Sequence, residues 1–264
     1  MLPVVKAHAY GNDFLYIEER HAQGRDRVGL ARAICERHTG IGADGLILYR
    51  LVPGGAAMSL LNADGSGAEV SGNGVRGLAA VLVDVHGLAP ADQTVVIRTD
   101  AGEKKLLALG REAGRITFRA AMGAPTAPAE ATLEVLGEPL RVVVLRVGNP
   151  QCVRLESSLD EGRMRRLGPA LERHPAFPDG TNVEFAEVEA PDRVRILIWE
   201  RGVGPTTASG TGACAAAVAA AAFGGASRDV QVISPGGAQR VEWRQDGVFL
   251  TGWAEVVLRG EWAG

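Results

Sequence analysis

The sequence predicts an α+β fold of two pseudo-symmetric halves, each a strand-rich sheet or barrel wrapped around one apolar helix. Three observations predict it. A glycine cassette occurs twice, as SGNGVR at 71–76 and SGTGAC at 209–214, with an offset of 138 residues. Each copy opens onto an alanine- and valine-rich run, and short β-like runs fill most of the remaining chain. The offset is about the length of one ordinary domain.

Other short motifs recur in the same order at nearly the same offset. The pairs are Gly11-Asn12 with Gly148-Asn149, Asp44-Gly45 with Asp179-Gly180, and Asn62 with Glu200. A repeat this long is a duplicated domain rather than a solenoid unit. We therefore expect a first half at 1–115 plus 256–264 and a second half at 116–255.

In the first half, alternating or β-branched runs bounded by Gly, Pro, Asp and Asn predict strands. These strands are expected at 14–17, 46–50, 57–62, 95–99, 105–109 and 115–119. Apolar periodicity predicts helices at 27–37 and about 75–86. The proline- and alanine-rich segment 123–129 is expected to be an exposed connector.

The second half follows the same pattern. Strands are expected at 141–147, 151–155, 182–188, 194–199, 230–234, 239–243 and 248–251, and a last strand at 254–259 returns to the first half. Helices are expected at about 159–172 and about 213–223, the second apolar on all sides.

Composition limits the function classes. The 264 residues are 46% hydrophobic and 22% charged, as in globular proteins, and the net charge of −3 favours neither nucleic acid nor an anionic membrane as partner. The longest apolar run has 11 residues, against about 20 needed to span a bilayer. Three cysteines without framework spacing and a start unlike a signal peptide favour a cytoplasmic protein.

Two familiar readings of the motifs are not supported. G-x-G-x-x-G occurs at 40–45 and 72–77, but the first match precedes a strand and the second follows a polar loop, so neither predicts a dinucleotide site. Cys35 and His38 form a single pair without a second pair at zinc spacing. From these motifs we therefore expect neither a dinucleotide cofactor nor a metal.

The cassettes themselves predict a small-molecule site. Each is a loop that feeds a helix N-terminus, where backbone N–H groups and the positive end of the dipole attract anions. Five asparagines also lie in turn motifs at strand ends, near an acidic–basic pair. They are Asn12, Asn62, Asn73, Asn149 and Asn182, and the pair is Glu200-Arg201. Amides and a guanidinium together suit a zwitterionic amino acid.

The motifs together resemble the diaminopimelate epimerase family. They are HAYGNDF at 8–14, GIGADG at 40–45, NADGS at 62–66, EVSGNGVR at 69–76, GNP at 148–150, TNVEF at 181–185, ERGVG at 200–204 and GTGACA at 210–215. The resemblance implies two pseudo-symmetric α/β domains with the active site in the cleft between them. It also implies a homodimer that uses neither pyridoxal phosphate nor metal.

In that family two cysteines, one from each half, remove and return the proton at the substrate α-carbon. Here Ser71 and Ser209 stand at those positions, and Gln151 replaces a histidine. The resemblance implies that the substrate is bound by Asn12, Asn62, Gly72, Asn73, Asn149, Asn182, Arg201, Gly210 and Thr211. Epimerisation of L,L- to meso-diaminopimelate is the expected activity.

Serine makes the proton transfer harder. A thiol has a pKa of about 8.5, whereas an alcohol lies nearer the value of about 15.7 for water, and an alcohol needs an adjacent base. Glu200 is the best candidate, ahead of Glu69 and Asp64. Three hypotheses stay open: engineered serines that trap a complex, native serines assisted by a carboxylate, or another reaction, such as racemisation or elimination, at an amino-acid α-carbon. A binding protein without catalysis is a further alternative.

Overall fold

The computed structural model describes residues 1–68, 70–88 and 93–264. The chain divides into two compact units. Unit 1 contains Met1–Ala120 and Gly252–Gly264, and unit 2 contains Ala121–Thr251. Across the described ranges, no helix is long and apolar enough to cross a membrane.

The strands carry most of the fold. They are β1 Leu2–Ala9, β2 Asn12–Glu18, β3 Gly45–Val52, β4 Gly55–Asn62, β5 Gly67–Ala68, β6 Thr94–Thr99, β7 Gly102–Glu112, β8 Arg115–Gly123, β9 Ala129–Val135, β10 Glu138–Val147, β11 Asn149–Glu156, β12 Asn182–Ala190, β13 Arg193–Glu200, β14 Gly204–Thr206, β15 Asp229–Ser234, β16 Gly237–Arg244 and β17 Gly247–Trp262. The helices are α1 Arg27–Cys35, α2 Gly72–His86, α3 Glu161–Glu172 and α4 Gly210–Phe223, with a 3-10 turn at Glu19–Ala22.

In unit 1, eight strands surround helix α2. Their hydrogen-bonded order is β17–β1–β2–β3–β4–β6–β7–β8, and β8 pairs with β17 to close the ring. Helix α2 is buried from Asn73 to Leu82 and packs on β1, β2, β4, β6 and β7. Closure leaves few sheet edges exposed and surrounds the buried part of the helix with strands.

Unit 2 repeats this order with its own elements. The strands follow one another as β9–β10–β11–β12–β13–β15–β16–β17, and helix α4 packs on β10, β11, β12, β13, β15 and β16. Alanines fill α4, and Ala215–Ala217, Ala219 and Ala220 are buried, so that strands can approach the helix closely along this part. The predicted fold class, a strand-rich shell around one helix in each half, is confirmed.

The element bounds differ from the sequence-based ones in instructive places. Helices α2 and α4 begin three residues before their apolar runs, because their first turns are glycine-rich and are started by Ser71 and Ser209. The two strands expected at 248–251 and 254–259 are one long strand, β17. Strands β1 and β9 were missed, while Ala124–Pro128 lies outside regular structure as the connector prediction expected.

Candidate active site

Ser71 and Ser209 occupy equivalent positions in the two units. Each is the N-cap of its central helix in extended backbone conformation. Ser71 Oγ accepts a hydrogen bond from the Gly74 N–H at 3.1 Å, and Ser209 Oγ accepts one from the Gly212 N–H at 3.1 Å. The N–H groups of the first two residues of each helix precede these bonds and have no acceptor within the helix. Each cassette thus places a hydroxyl beside an anion-attracting helix end.

Glycine is required at Gly77, in the second turn of α2. A methyl group at Gly77 would lie 2.1 Å from the Tyr16 hydroxyl, which donates to the Gly74 carbonyl at 3.0 Å. At Gly72, by contrast, a methyl group would meet nothing within 4 Å. The helix end is therefore held tightly against the strands on its buried side and open in front of Gly72.

In unit 1 a directed chain of side-chain hydrogen bonds joins two of the predicted site residues. Arg76 donates to Asn73 Oδ1 at 3.3 Å, Asn73 Nδ2 donates to Asn12 Oδ1 at 3.3 Å, and Asn12 Nδ2 donates to Asp44 Oδ2 at 2.6 Å. A guanidinium can only donate and a carboxylate can only accept, so the ends of the chain fix both amide orientations. The side-chain amides of Asn12 and Asn73 each use one N–H and one oxygen lone pair in this series of hydrogen bonds.

The acceptor end of that chain belongs to a charged cluster. Asp13 is paired with Arg37 at 2.9 Å and with Lys6 at 2.9 Å, and Arg37 also binds Asp44 at 2.8 Å. Burial alone would raise the pKa of Asp13, but Arg37 and Lys6 outweigh it and hold that pKa below its usual range. Asp13 is therefore ionised and the cluster anchors Asn12 at the start of β2.

Asn62 lies in its own turn between β4 and β5. Its amide donates to Ser66 Oγ at 3.0 Å, while Asp64 accepts from both the Ser66 N–H at 2.8 Å and its hydroxyl at 2.6 Å. These bonds to Ser66 lower the pKa of the exposed Asp64. An ionised, solvated aspartate is a weak base. Glu69, the other minor candidate, lies outside the described residues.

In unit 2, Asn182 and Arg201 are brought together at the ends of β12 and β13. Asn182 Oδ1 accepts from the Arg201 backbone N–H at 2.9 Å, and Arg201 Nη1 donates to the Asp179 carbonyl at 2.9 Å. Glu172 supports the same loop through Trp199 Nε1 at 2.7 Å and the Gly202 N–H at 2.9 Å. Burial opposes ionisation of Glu172, yet these donors hold its pKa below the usual range.

Glu200 is the last residue of β13 and sits next to that loop. Its side chain is half-buried, and burial raises the pKa of its carboxyl. A carboxylate with a raised pKa is a better proton acceptor than an exposed one. This environment favours Glu200 over Asp64 among the bases considered from sequence.

Gln151 lies beside Asn149, Thr211 and a residue that sequence reasoning missed, Glu184. Gln151 Nε2 is 2.6 Å from Asn149 Oδ1 and 3.2 Å from Thr211 Oγ1, and Gln151 Oε1 is 3.0 Å from Glu184 Oε1. Gln151 and Glu184 are fully buried. Burial, and next the negative charge of Glu200, hold the pKa of Glu184 well above its usual range.

The cysteines do not replace the missing thiols. Cys35, Cys152 and Cys214 are all buried, Cys152 in β11 and Cys214 inside α4. Burial, followed by the nearby Glu184 carboxyl, raises the pKa of the Cys152 thiol. A buried thiol with a raised pKa is a poor base or nucleophile.

A protein-family model described as diaminopimelate epimerase matches residues 4–126 and 143–257 of this sequence. This chain belongs to the diaminopimelate epimerase family. The match covers the central helices of both units, and both serine cassettes lie within it.

Curated diaminopimelate epimerases are similar to this family member over almost their whole length. The protein of Desulforudis audaxviator is 42% identical, with 97% of this chain and 98% of the relative covered. That of Carboxydothermus hydrogenoformans is 37% identical, with 98% of both chains covered.

Solved structures share the epimerase fold at low sequence identity. A phenazine biosynthesis protein of the PhzF family from Bacillus anthracis superimposes with a TM-score of 0.72 at 16% identity, covering 99% of this chain and 98% of the other. A hydroxyproline epimerase from Agrobacterium vitis gives 0.68 at 18% identity, covering 98% and 90%. At these identities the likeness concerns the fold.

Three supporting groups of this epimerase family member escaped the sequence analysis. Glu184 stood inside the TNVEF motif, and an acidic residue between the apolar Val183 and Phe185 was the available signal. Glu172 and the cluster of Arg37 with Asp13 come from elements distant in sequence. No local pattern could have paired them with the site.

Proposed function

We propose that this chain interconverts L,L- and meso-diaminopimelate without a cofactor, by proton transfer at the substrate α-carbon. The observation that carries the proposal is the matched placement of Ser71 and Ser209, each of which caps the glycine-rich first turn of the central helix of its unit. A reaction that inverts a stereocentre needs one proton acceptor and one donor, and the duplicated fold supplies one hydroxyl per unit.

In the proposed step, the hydroxyl proton of one serine moves to a carboxylate as its oxygen accepts the α-proton of the substrate. This leaves a carbanion whose charge spreads onto the substrate carboxylate. The other serine then donates its hydroxyl proton to the opposite face of that carbon and takes a proton from solvent, while the carboxylic acid formed in the first step releases its proton to solvent. We assign Glu200 as the carboxylate, because it is half-buried and its pKa is raised by burial.

The helix N-termini are proposed to stabilise the negative charge. The backbone N–H groups at Gly72-Asn73 and Gly210-Thr211 precede the N–H groups bound by the two serines. Donors fixed before the reaction lower the barrier most where charge develops, as in an oxyanion hole. The asparagines Asn12, Asn62, Asn149 and Asn182 and the guanidinium of Arg201 are proposed to hold the rest of the zwitterion.

The serines set the rate that this mechanism allows. An alcohol is less acidic than a thiol by roughly 4–7 pKa units, equivalent to about 5–10 kcal/mol for forming the base. The positive end of a helix stabilises a nearby negative charge by at most about 2 kcal/mol, which offsets only part of this difference. We therefore expect slow turnover that depends on a carboxylate to take the serine proton.

Formation of meso-diaminopimelate from the pure L,L isomer tests the proposal. Chiral chromatography of the incubated mixture should show the meso isomer appearing with wild-type protein and staying at background with Ser71→Ala. Loss of water or ammonia from the substrate would instead support a lyase of the same fold. Binding without any product would support the binding-protein alternative.

Two further features are part of the proposal. A cytoplasmic location fits a biosynthetic enzyme with three buried cysteines. A homodimer is what the family resemblance implies, and size-exclusion chromatography with light scattering measures it.

A further inference from the structure

Unit 2 buries a polar pair where unit 1 buries an apolar one. Strands β11 and β12 of unit 2 pair in the same register as strands β2 and β3 of unit 1. Position 151 is therefore equivalent to position 14, and position 184 is equivalent to position 47. In unit 1, Phe14 and Ile47 pack beside Gly74. In unit 2, Glu184 takes the place of Ile47, and its Oε1 would lie 2.5 Å from a methyl group at Gly212.

A buried carboxyl costs free energy that an isoleucine does not. Unit 1 demonstrates that the same architecture closes with two apolar side chains at these places. The Gln151–Glu184 pair is therefore not needed to form the fold. Its position behind the α4 N-terminus, where Ser209 caps the helix, points to a role at the site.

The groups packed around Glu184 favour its neutral form. Strand β13 contributes the Glu200 carboxyl and strand β11 contributes the Cys152 thiol. The partial positive charge of the α4 N-terminus acts in the opposite direction, but burial and the Glu200 charge outweigh it. Within the described ranges, no cationic side chain forms an ion pair with Glu184. Burial and the charge of Glu200 both disfavour the carboxylate and raise the pKa of Glu184.

The charge on Glu184 decides which way the Gln151 amide can point. When Glu184 is protonated, its O–H can donate to Gln151 Oε1 across 3.0–3.2 Å. The Gln151 nitrogen then donates to Asn149 Oδ1 at 2.6 Å and faces Thr211 Oγ1 at 3.2 Å. The remaining groups of Asn149 and Thr211 are then N–H and O–H donors.

When Glu184 is ionised, the amide must turn over. Its nitrogen donates to Glu184 and its oxygen accepts from the Thr211 hydroxyl; the Asn149 amide must turn over as well, so that its nitrogen replaces Oδ1 beside the Gln151 oxygen. Asn149 and Thr211 then present lone pairs. One proton on a buried carboxyl thus reverses two side chains that line the proposed substrate site.

We propose that protonated Glu184, acting through Gln151, orients Asn149 and Thr211 so that both offer hydrogen-bond donors to the substrate carboxylate. Glu184 is a positioning residue, because it does not contact the reacting atoms itself. This inference rests on the proposed function for the identity of the ligand, but the state of Glu184 can be measured without any ligand.

Infrared spectroscopy of the ligand-free protein measures that state. At neutral pH the wild type should show the carbonyl stretch of a buried protonated carboxyl group. The band should be lost in Glu184→Gln and retained in the control Glu156→Gln. Glu156 lies in the neighbouring strand β11, and its carboxylate accepts hydrogen bonds from Arg154 and Arg163. A wild type without the band, or a band that survives in Glu184→Gln, overturns the proposal.

Calorimetric titration with L,L-diaminopimelate measures the consequence. Glu184→Gln keeps a donor toward Gln151, so its Kd should stay within about threefold of wild type, whereas Gln151→Met frees Asn149 and Thr211 and should weaken binding about tenfold. On the alkaline side, wild-type affinity should fall as Glu184 ionises, and that of Glu184→Gln should not. Equal Kd values for Gln151→Met and wild type contradict the inference.

The orientation of Asn149 can also be followed without replacing Gln151. The measured quantity is the chemical shift of the Asn149 side-chain amide signals in a nitrogen–proton NMR spectrum. They should shift with alkaline pH in the wild type and stay constant in Glu184→Gln. A shift that is the same in both proteins overturns the proposal. If the wild type binds no diaminopimelate at all, the proposed function fails, while the infrared band and these signals still decide the state of Glu184.

Discussion

Ser209 Oγ accepts a hydrogen bond from the backbone N–H of Gly212 at 3.1 Å, and the equivalent bond from Gly74 to Ser71 has the same length. A residue proposed to move protons is therefore also a helix cap. The two roles are separable, because capping depends only on an acceptor at this position, whereas proton transfer depends on a hydroxyl.

Replacing either serine by alanine should remove both roles. Ser71→Ala and Ser209→Ala should each lower the free energy of unfolding by about 1 kcal/mol through loss of the cap, and should abolish formation of meso-diaminopimelate. Urea unfolding and the chiral assay measure the two effects.

The other N-caps are matched controls for that experiment. Asp26 caps α1 in unit 1 and Asp160 caps α3 in unit 2, through bonds from Val28 at 3.1 Å and Arg163 at 2.9 Å. Asp26→Ala and Asp160→Ala should lose comparable stability and keep the wild-type rate per folded molecule. A rate that falls equally in all four variants would attribute the loss to capping alone.

Introducing thiols should accelerate the reaction. In Ser71→Cys/Ser209→Cys the more acidic thiol makes the base easier to form, and we expect at least about a 100-fold rise in kcat, against a small loss of stability because sulfur is a weak cap acceptor. Steady-state kinetics with L,L-diaminopimelate measure the rise. An unchanged kcat in a folded double variant would mean that proton transfer to serine does not limit the wild type.

Glu184 should make the protein less stable as the pH rises. Its pKa is raised in the folded state, so between the ordinary glutamate pKa and the raised one the folded protein binds more protons than the unfolded chain. The free energy of unfolding therefore falls with increasing pH across that window. Thermal unfolding of Glu184→Gln at a series of pH values should lack this part of the decline and should match wild type on the acid side. A decline of the same size in the variant would place the titrating group elsewhere.

Two glycines of the cassettes should respond oppositely to a methyl group. At Gly212 it would lie 2.5 Å from Glu184 Oε1, so Gly212→Ala should lower the free energy of unfolding by about 1–3 kcal/mol. At Gly72 it would meet nothing within 4 Å, so Gly72→Ala should keep wild-type stability and raise KM by filling the space in front of the helix end. An unchanged KM for Gly72→Ala would indicate that substrate does not approach this N–H group.

The repeat made the fold class predictable from sequence. Offsets of 137 and 138 residues between motifs imply equivalent elements, and the structure gives both units the same strand order around one helix. Helix starts were less predictable, because the apolar periodicity begins at residue 75 while the capping serine at 71 starts the helix. Strand β1 was missed because its alternation includes Pro3 and Lys6, which weaken a strand pattern.

The residues of the candidate site could be proposed from sequence only where local motifs mark them. The asparagines, the serine cassettes and Glu200-Arg201 stand in glycine-rich turns that a single sequence displays. The cluster of Asp13, Arg37 and Lys6 depends on three segments that meet in space. The orientation of the Gln151 side-chain amide depends on whether Glu184 is protonated. Such long-range charges and hydrogen bonds leave no periodic trace in the chain.

The most direct measurement is proton NMR of L,L-diaminopimelate incubated with the wild-type protein in deuterium oxide. With Ser71 and Ser209 as separate acid and base, early meso product should carry deuterium at the inverted carbon while recovered L,L substrate keeps its proton. Deuterium entering the recovered substrate as fast as the product, or product that retains the original proton, would contradict the two-serine account.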